Sequence, residues 1–112
     1  MSTAAPLSQP RIRISRQARP GEVIEIRTLI EHPMESGIRG RTLGASPRDM
    51  LTRLIVRMNG ETVLAADLGN GTAANPYHVF FVRVQRTSEF EFLWTDDHGR
   101  SARATARVTV TA

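Results

Sequence analysis

The sequence predicts an all-β protein built as an antiparallel sandwich. Short segments along the whole chain alternate apolar and polar residues with a period of two, which is typical of strands that bury one face. Turn signals rich in Gly, Asn and Pro separate these segments, and none of the longer segments shows helical periodicity. About seven such strands favour an immunoglobulin-like topology, and a closed β-barrel is the alternative.

Length and composition indicate one domain. A chain of 112 residues is long enough for a single hydrophobic core. Residues 1–10 are small, polar and interrupted by two prolines, so we expect a flexible N-terminal segment followed by one sandwich domain over residues 11–112. No apolar run approaches the roughly 20 residues that a membrane helix needs, so no membrane partner is expected.

The charge pattern does not favour nucleic acid as a partner. All fifteen basic residues are arginine, and the formal net charge is +4. These arginines are spread along the chain among eleven acidic residues, with no row of aromatic residues beside them. The sequence also contains no cysteine, which excludes a disulfide, a thiolate nucleophile and a thiolate metal site.

The first part of the domain contains two predicted strands. Residues 11–16 alternate arginine with isoleucine, which predicts a short edge strand whose charges discourage pairing with another chain. A turn at residues 19–21 leads into the longest regular alternation, residues 22–30. Its predicted buried face comprises Ile24, Ile26, Thr28 and Ile30. Pro33 lacks a backbone donor and restricts His32, so the strand should end before them.

A long irregular stretch follows this strand. Residues 37–49 contain three glycines and a proline among polar residues. Loops longer than about 12 residues are often functional in compact domains, which makes this segment a candidate contact region. A tolerated surface insertion is an equal alternative.

A β-hairpin is predicted between residues 50–58 and 61–68. Asn59-Gly60 joins the two segments, and this dipeptide is a strong hairpin signal because both central residues of a type I′ turn need a positive φ. Alternation in the first strand places Leu51 on one face, together with Arg53, Ile55 and Arg57. The other face comprises Thr52, Leu54, Val56 and Met58.

The C-terminal part contains three further predicted strands. In residues 77–84 the two faces comprise Phe80, Val82 and Val84, and Tyr77, Val79, Phe81 and Arg83. Residues 96–99, Asp-Asp-His-Gly, predict a second hairpin turn. The next two strands are expected to set small residues against large ones in the core, namely the alanines of residues 102–106 and the row of Phe90, Phe92 and Trp94.

No arrangement of residues predicts catalysis, a metal site or a bound cofactor. The histidines are separated too widely along the chain for a local ligand pair. Asp96 and Asp97 lie within a tight turn, where Asp usually accepts backbone hydrogen bonds rather than acting as an acid or base. Ser36 near His32 and Glu35 has the residue types of a hydrolytic triad, but one turn cannot hold the three groups in the required geometry. The chain is therefore predicted not to be an enzyme.

Three segments resemble one known family. They are TLIEHPMESG at residues 28–37, ANPYHVFFVRV at residues 74–84 and FEFLWTDDHG at residues 90–99. Together, and in this order, they resemble the Z subunits of the sulfur-oxidation (Sox) thiosulfate-oxidising carrier complex, the SoxZ family. The similarity extends from residue 11 to the C-terminus.

The resemblance implies an immunoglobulin-like sandwich that forms a heterodimer with a Y subunit, whose C-terminal arm carries sulfur intermediates on a cysteine. It implies no catalytic residue in this chain and no cofactor. Transient docking to the Sox cytochrome, hydrolase and dehydrogenase components is also implied. So is a periplasmic location, reached by export in complex with the signal-bearing partner.

Two strand ends supply the candidate interface residues. They are His32, Pro33, Met34 and Glu35 at one strand end, and Asn75, Pro76 and Tyr77 at the start of another. The alternative for these residues is structural: the prolines end strand pairing, and Met34 fills the core. The alternative for the whole chain is a free-standing immunoglobulin-like module that recognises proteins in the periplasm.

Overall fold

The computed structural model describes residues 7–34, 50–68 and 74–112, and within these ranges it contains eight strands and no helix. The prediction of an all-β sandwich is confirmed. One strand more than expected is present, because the short strand at residues 17–18 was missed. The strands are β1 (Arg11–Ile14), β2 (Gln17–Ala18), β3 (Glu22–Leu29), β4 (Leu51–Met58), β5 (Glu61–Asp67), β6 (Tyr77–Val84), β7 (Ser88–Asp96) and β8 (Ser101–Val110).

The strands form two sheets. One has three strands in the order β1-β3-β6, and the other has five in the order β2-β8-β7-β4-β5. All neighbouring pairs are antiparallel except β2 and β8, where Gln17 and Ala18 lie parallel to Thr109 and Val110. Strands β1 and β2 follow one another closely in sequence but belong to different sheets. The N-terminal part of the domain therefore crosses from one sheet to the other.

The core lies between the sheets and follows the predicted alternation. On β3 the inward residues are almost inaccessible to solvent, as expected for alternate residues of a half-buried strand; they are Ile24, Ile26 and Thr28. The three-residue aromatic row of β7 is also buried. Its members lie opposite the small residues of β8 in three pairs, Phe90 with Ala106, Phe92 with Ala104 and Trp94 with Ala102. The predicted pairing of large with small side chains is confirmed.

One predicted strand face is wrong at its first residue. Leu51 was expected on the face opposite that of Leu54 and Val56, but all three side chains are fully buried. The register between β4 and β7 shifts between Leu51 and Arg53, which is a β-bulge. A bulge turns one residue out of the strict alternation, so Leu51 points into the core together with the neighbouring Met50.

The predicted Asn59-Gly60 turn is confirmed by its backbone. Asn59 has φ 53° and Gly60 has φ 87°, the two positive values that a type I′ turn requires. The Asn59 side chain also bonds the start of β7: its Oδ1 accepts from the Glu89 backbone N–H at 3.0 Å, and its Nδ2 donates to Ser88 Oγ at 3.2 Å. The turn is thus fixed both by its own geometry and by a neighbouring strand.

Candidate partner-binding surfaces

The candidate interface residues divide into buried and exposed groups. His32, Met34 and Pro76 are buried, and Pro33, Asn75 and Tyr77 are exposed. Glu35 lies outside the residues that the structure describes, as does the long predicted loop at residues 37–49. The two strand ends do meet, because β3 and β6 are paired along their whole length, with Leu29 opposite Tyr77.

A pair of reciprocal hydrogen bonds joins these strand ends. The His32 backbone N–H donates to Asn75 Oδ1 at 2.9 Å, and the Asn75 backbone N–H donates to the His32 carbonyl at 2.7 Å. Asn75 adopts φ 52°, a left-handed conformation that Asn tolerates better than most residues. Asn75 is therefore exposed but held firmly, and its amide oxygen faces the chain rather than a partner.

His32 and Met34 have structural roles at this end of the sandwich. The Met34 backbone N–H donates to His32 Nδ1 at 2.9 Å, and the Met34 sulfur accepts from the Leu51 backbone N–H at 3.4 Å. Met34 also has a positive φ of 51°. These contacts connect the end of β3 to the bulged start of β4, and they support the structural alternative for the two buried side chains.

The adjacent aspartates form the predicted turn between β7 and β8. The buried Asp96 carboxylate accepts from the backbone N–H groups of His98 at 3.0 Å and Arg100 at 2.6 Å. It also accepts from Arg100 Nε at 2.5 Å. Asp97 Oδ1 accepts from the Met50 backbone N–H at 3.2 Å. Both carboxylates therefore bond the backbone around them, which is the structural role predicted for them.

The outward face of the five-stranded sheet carries paired charges. Glu91 accepts from Arg57 at 3.2 Å and from Arg103 at 2.5 Å, and Glu89 accepts from Arg107 at 2.6 Å. Hydrogen bonds from Arg103, and next from Arg57, lower the pKa of Glu91. Since each carboxylate already has an arginine partner, this face is largely neutralised within the chain.

The outward face of the three-stranded sheet is different, and we call it the outer sheet face. Its members on β3 and β6 are Val23, Glu25, Arg27, Leu29, Tyr77, Val79, Phe81 and Arg83, and on β1 they are Arg11 and Arg13. Five large hydrophobic residues are exposed in the described part of the chain, and four of them lie on this face. The described structure thus leaves an apolar sheet surface open to solvent.

Polar contacts fix the side chains around this apolar surface. Arg27 donates to Glu25 and, at 3.4 Å, to the hydroxyl of Tyr77. The carboxylate of Glu25 raises the pKa of Arg27. Arg83 donates to the Gly21 carbonyl at 2.6 Å. An open cavity beside this group is lined by residues that include Arg11, Arg13 and Tyr77.

Sequence reasoning identified Tyr77 on this surface but did not identify Val79 and Phe81 as exposed. The signal was present in the sequence, since both faces of β6 are apolar whereas only one face of β3 is. A strand with two apolar faces is either covered on both sides or leaves one side for a partner. In the structure the outward side of β6 is exposed, which selects the second case. The arrangement of the two sheets decides this, and it cannot be read from the sequence.

The described residues offer no assembled metal site. No group of three or more His, Cys, Asp or Glu residues in residues 7–34, 50–68 and 74–112 could hold a metal ion. His78 lies on the inward side of β6, and burial lowers its pKa. No helix within the described ranges is long and apolar enough to cross a membrane.

The described strands define a small two-sheet β-sandwich with an exposed apolar sheet face. Solved structures of this fold include a superoxide reductase (neelaredoxin) from Ignicoccus hospitalis, with a TM-score of 0.75 and 12% identity, covering 96% of this chain and 83% of that one. The sulfur carrier protein SoxY from Chlorobium limicola f thiosulfatophilum has a TM-score of 0.65 and 17% identity, covering 99% of this chain and 82% of that one. At these identities the likeness shows the fold alone.

A family model identifies the chain more narrowly. The model of the sulphur oxidation protein SoxZ matches residues 12–107, which is most of the sequence. The chain therefore belongs to the SoxZ family and is a protein of the Sox sulfur-oxidation system. No curated protein sequence matches it. The resemblance found in the three sequence segments is confirmed.

Proposed function

We propose that the chain is the non-catalytic subunit of a heterodimeric sulfur carrier in thiosulfate oxidation. In this role it binds and stabilises a cysteine-bearing Y subunit. The match to the SoxZ family over residues 12–107 carries the proposal. The absence of cysteine supports the division of labour, because a chain without a thiol cannot itself hold sulfur as a cysteine adduct.

The likeness to SoxY supports a partner of similar architecture. SoxY is described as a sulfur carrier protein, and its fold covers 99% of this chain. Two sandwiches of one fold can pair through equivalent sheet faces, in the manner of a pseudo-symmetric dimer. Among the predicted interface residues, the exposed Pro33, Asn75 and Tyr77 remain candidates for such a contact.

The proposal also covers the proteins that dock to the heterodimer and the cellular compartment in which it works. We infer that the heterodimer also presents surfaces to the Sox cytochrome, hydrolase and dehydrogenase components, which act in turn on the carried sulfur. We further propose that it works in the periplasm after export together with its Y subunit. Both inferences rest on family membership, and cell fractionation with an antibody against this chain tests the second.

Co-expression with the Y subunit from the same source tests the central proposal. Size-exclusion chromatography followed by intact-complex mass measurement should show a stable one-to-one heterodimer. A chain that elutes as a monomer beside the free Y subunit would contradict it. That result would favour the free-standing recognition module, particularly if thiosulfate oxidation survives deletion of this chain.

A further inference from the structure

The outer sheet face exposes more apolar surface than a small sandwich needs. Phe81 is 63% exposed, Tyr77 52%, Val23 48% and Val79 45%. In the described part of the five-stranded sheet, Val63 at 38% is the one exposed large hydrophobic residue. Isolated apolar residues are ordinary on a protein surface, but a contiguous group usually marks an interaction site.

The pairing of β3 with β6 shows which side chains of the outer sheet face are neighbours. Val79 lies opposite Arg27, Phe81 lies opposite Glu25, and Tyr77 lies opposite Leu29. Side chains directly opposite one another on a sheet face have their Cβ atoms about 5 Å apart. Alternate residues of a strand share one face, so Tyr77, Val79 and Phe81 form one apolar row along β6. Leu29 lies beside one end of this row, and the Glu25–Arg27 ion pair lies beside its other two members.

The same surface lies along an edge strand. β6 is the last strand of its sheet in the order β1-β3-β6, and it is eight residues long with no proline. Natural proteins usually protect such an edge with charges, proline or a short strand, because an open edge is a template for pairing with another chain. In the described residues, Arg83 is the single charged side chain on the outward side of β6.

The charges on this face indicate which partner fits. Four arginines lie on the face, namely Arg11, Arg13, Arg27 and Arg83. Two carboxylates accompany them, since Glu25 pairs with Arg27 and the exposed Glu31 is 3.8 Å from Arg11. The arginines therefore outnumber the carboxylates. A second copy of this chain, packed face to face, would bring two sets of arginines together, and repulsion between like charges would disfavour that pairing. A partner surface with an apolar centre and carboxylates at its rim would instead pair with them.

We propose that the outer sheet face is the heterodimer interface, and that it receives an apolar sheet face of the Y subunit rimmed by Asp and Glu residues. This inference rests on the proposed function and adds the surface and its chemistry. Val79 and Phe81 form the buried centre. Arg13 and Arg83 lie at the rim, where charges contribute more to the association rate than to the affinity.

A matched pair of valine substitutions tests the apolar centre. Val79→Glu on β6 places a carboxylate in the proposed interface, whereas Val63→Glu makes the same change at a similarly exposed residue of β5. Binding of each full chain to the purified Y subunit is measured by titration calorimetry. We expect Val79→Glu to weaken binding at least about tenfold, and Val63→Glu to change it less than about twofold. Phe81→Ser should act like Val79→Glu.

The outcomes separate this inference from the proposed function. If the wild-type chain binds the Y subunit and Val79→Glu binds equally well, the interface lies elsewhere and only this inference fails. If the wild-type chain does not bind, the proposed function fails with it. If the wild-type chain alone forms a homodimer that Val79→Glu dissociates, the face binds a second copy and the inference is overturned. Circular dichroism of each variant establishes that it is folded.

Charge reversal tests the rim independently. Arg83→Glu should slow association with the Y subunit several-fold at low salt, and the difference should shrink as the ionic strength rises. Arg53→Glu on β4, in the other sheet, is the control and should leave the association rate unchanged. Faster association of Arg83→Glu would show that the partner's rim is basic, which contradicts the proposed chemistry.

Discussion

Arg100 binds the carboxylate of Asp96 twice, through its backbone N–H at 2.6 Å and through Nε at 2.5 Å. The Asp96 side chain is completely buried, and that of Arg100 is 20% exposed. Arg100 thus supplies both a backbone donor and a charged side-chain donor to this buried carboxylate. The β7–β8 turn depends on this pair, because a carboxylate at this depth is stable only when its oxygens are satisfied.

Asp96→Ala should therefore destabilise the fold by about 3 kcal/mol, since it removes a buried carboxylate that accepts from two partly buried backbone N–H groups and from a guanidinium. The measurement is chemical denaturation followed by tryptophan fluorescence. Asp67→Ala is the control, because the Asp67 side chain is 94% exposed and 4.0 Å from Arg53. Its effect should stay within about 0.5 kcal/mol. Equal effects of the two substitutions would show that the turn network is unimportant.

Asn75 should contribute to stability through its side chain and its backbone conformation separately. Asn75→Ala removes the acceptor for the His32 N–H and places at φ 52° a residue that tolerates this conformation less well than Asn, so we expect a loss of about 2–3 kcal/mol. Asn75→Gly removes only the acceptor, because glycine adopts this φ freely, and it should cost about 1 kcal/mol less. Thermal unfolding of the two variants measures the difference, and identical midpoints would contradict it.

Phe92 and Phe81 should have opposite roles although they are the same residue type. Phe92 is fully buried, so Phe92→Ala should lower the free energy of unfolding by about 3–5 kcal/mol. Phe81 is 63% exposed, so Phe81→Ala should change it by less than about 0.5 kcal/mol. Denaturant titration of both variants tests this. A large loss of stability in Phe81→Ala would mean that this side chain supports the fold rather than a partner contact.

His78 should make stability depend on pH in a defined window. Burial lowers its folded pKa below the value of 6.5 that it has when exposed, so the unfolded chain binds more protons between the two values. The free energy of unfolding should therefore fall as the pH drops from about 7 through 6.5, and level off below the folded pKa. His78→Gln should flatten this slope.

The pH range in which His78 affects the free energy of unfolding is separate from the pH range in which Glu91 does. The pKa of Glu91 is lowered from 4.5, so its contribution is present above that pH and is lost only as the pH falls further, through the folded pKa. Unfolding measured between about pH 5.5 and pH 7 isolates the histidine. An unchanged slope in the His78→Gln chain would contradict the assignment.

Most strand faces could be predicted because burial on one side imposes a period of two. Residues of β7 follow that period without exception, those of β3 follow it from Val23 onward, and the alanine and aromatic pairs follow from it. Leu51 could not be predicted, since a bulge depends on the register with another strand. Gln17 and Ala18 could not be predicted either, because two residues are too few to show a period.

The candidate site was predicted less well than the fold. The sequence indicated residues at two strand ends but did not predict that these ends meet, as they do in the structure. Burial of Met34 was one alternative, but burial and hydrogen bonding of His32 beside it were not predicted. Prolines beside a strand end indicate where pairing stops and contain no information about solvent exposure. The outer sheet face depends on which strands share a sheet, and this is a property of the topology.

The parallel pairing of β2 with β8 has a consequence for the order of folding. β8 lies between β2 and β7 within the five-stranded sheet, although more than 80 residues separate β2 from β8 along the chain. A folding intermediate in which residues 101–110 are not yet paired therefore has neither the neighbour of β2 nor the strand that covers the second edge of β7. Because contacts between distant segments form slowly, we expect β2 to join its sheet late in folding.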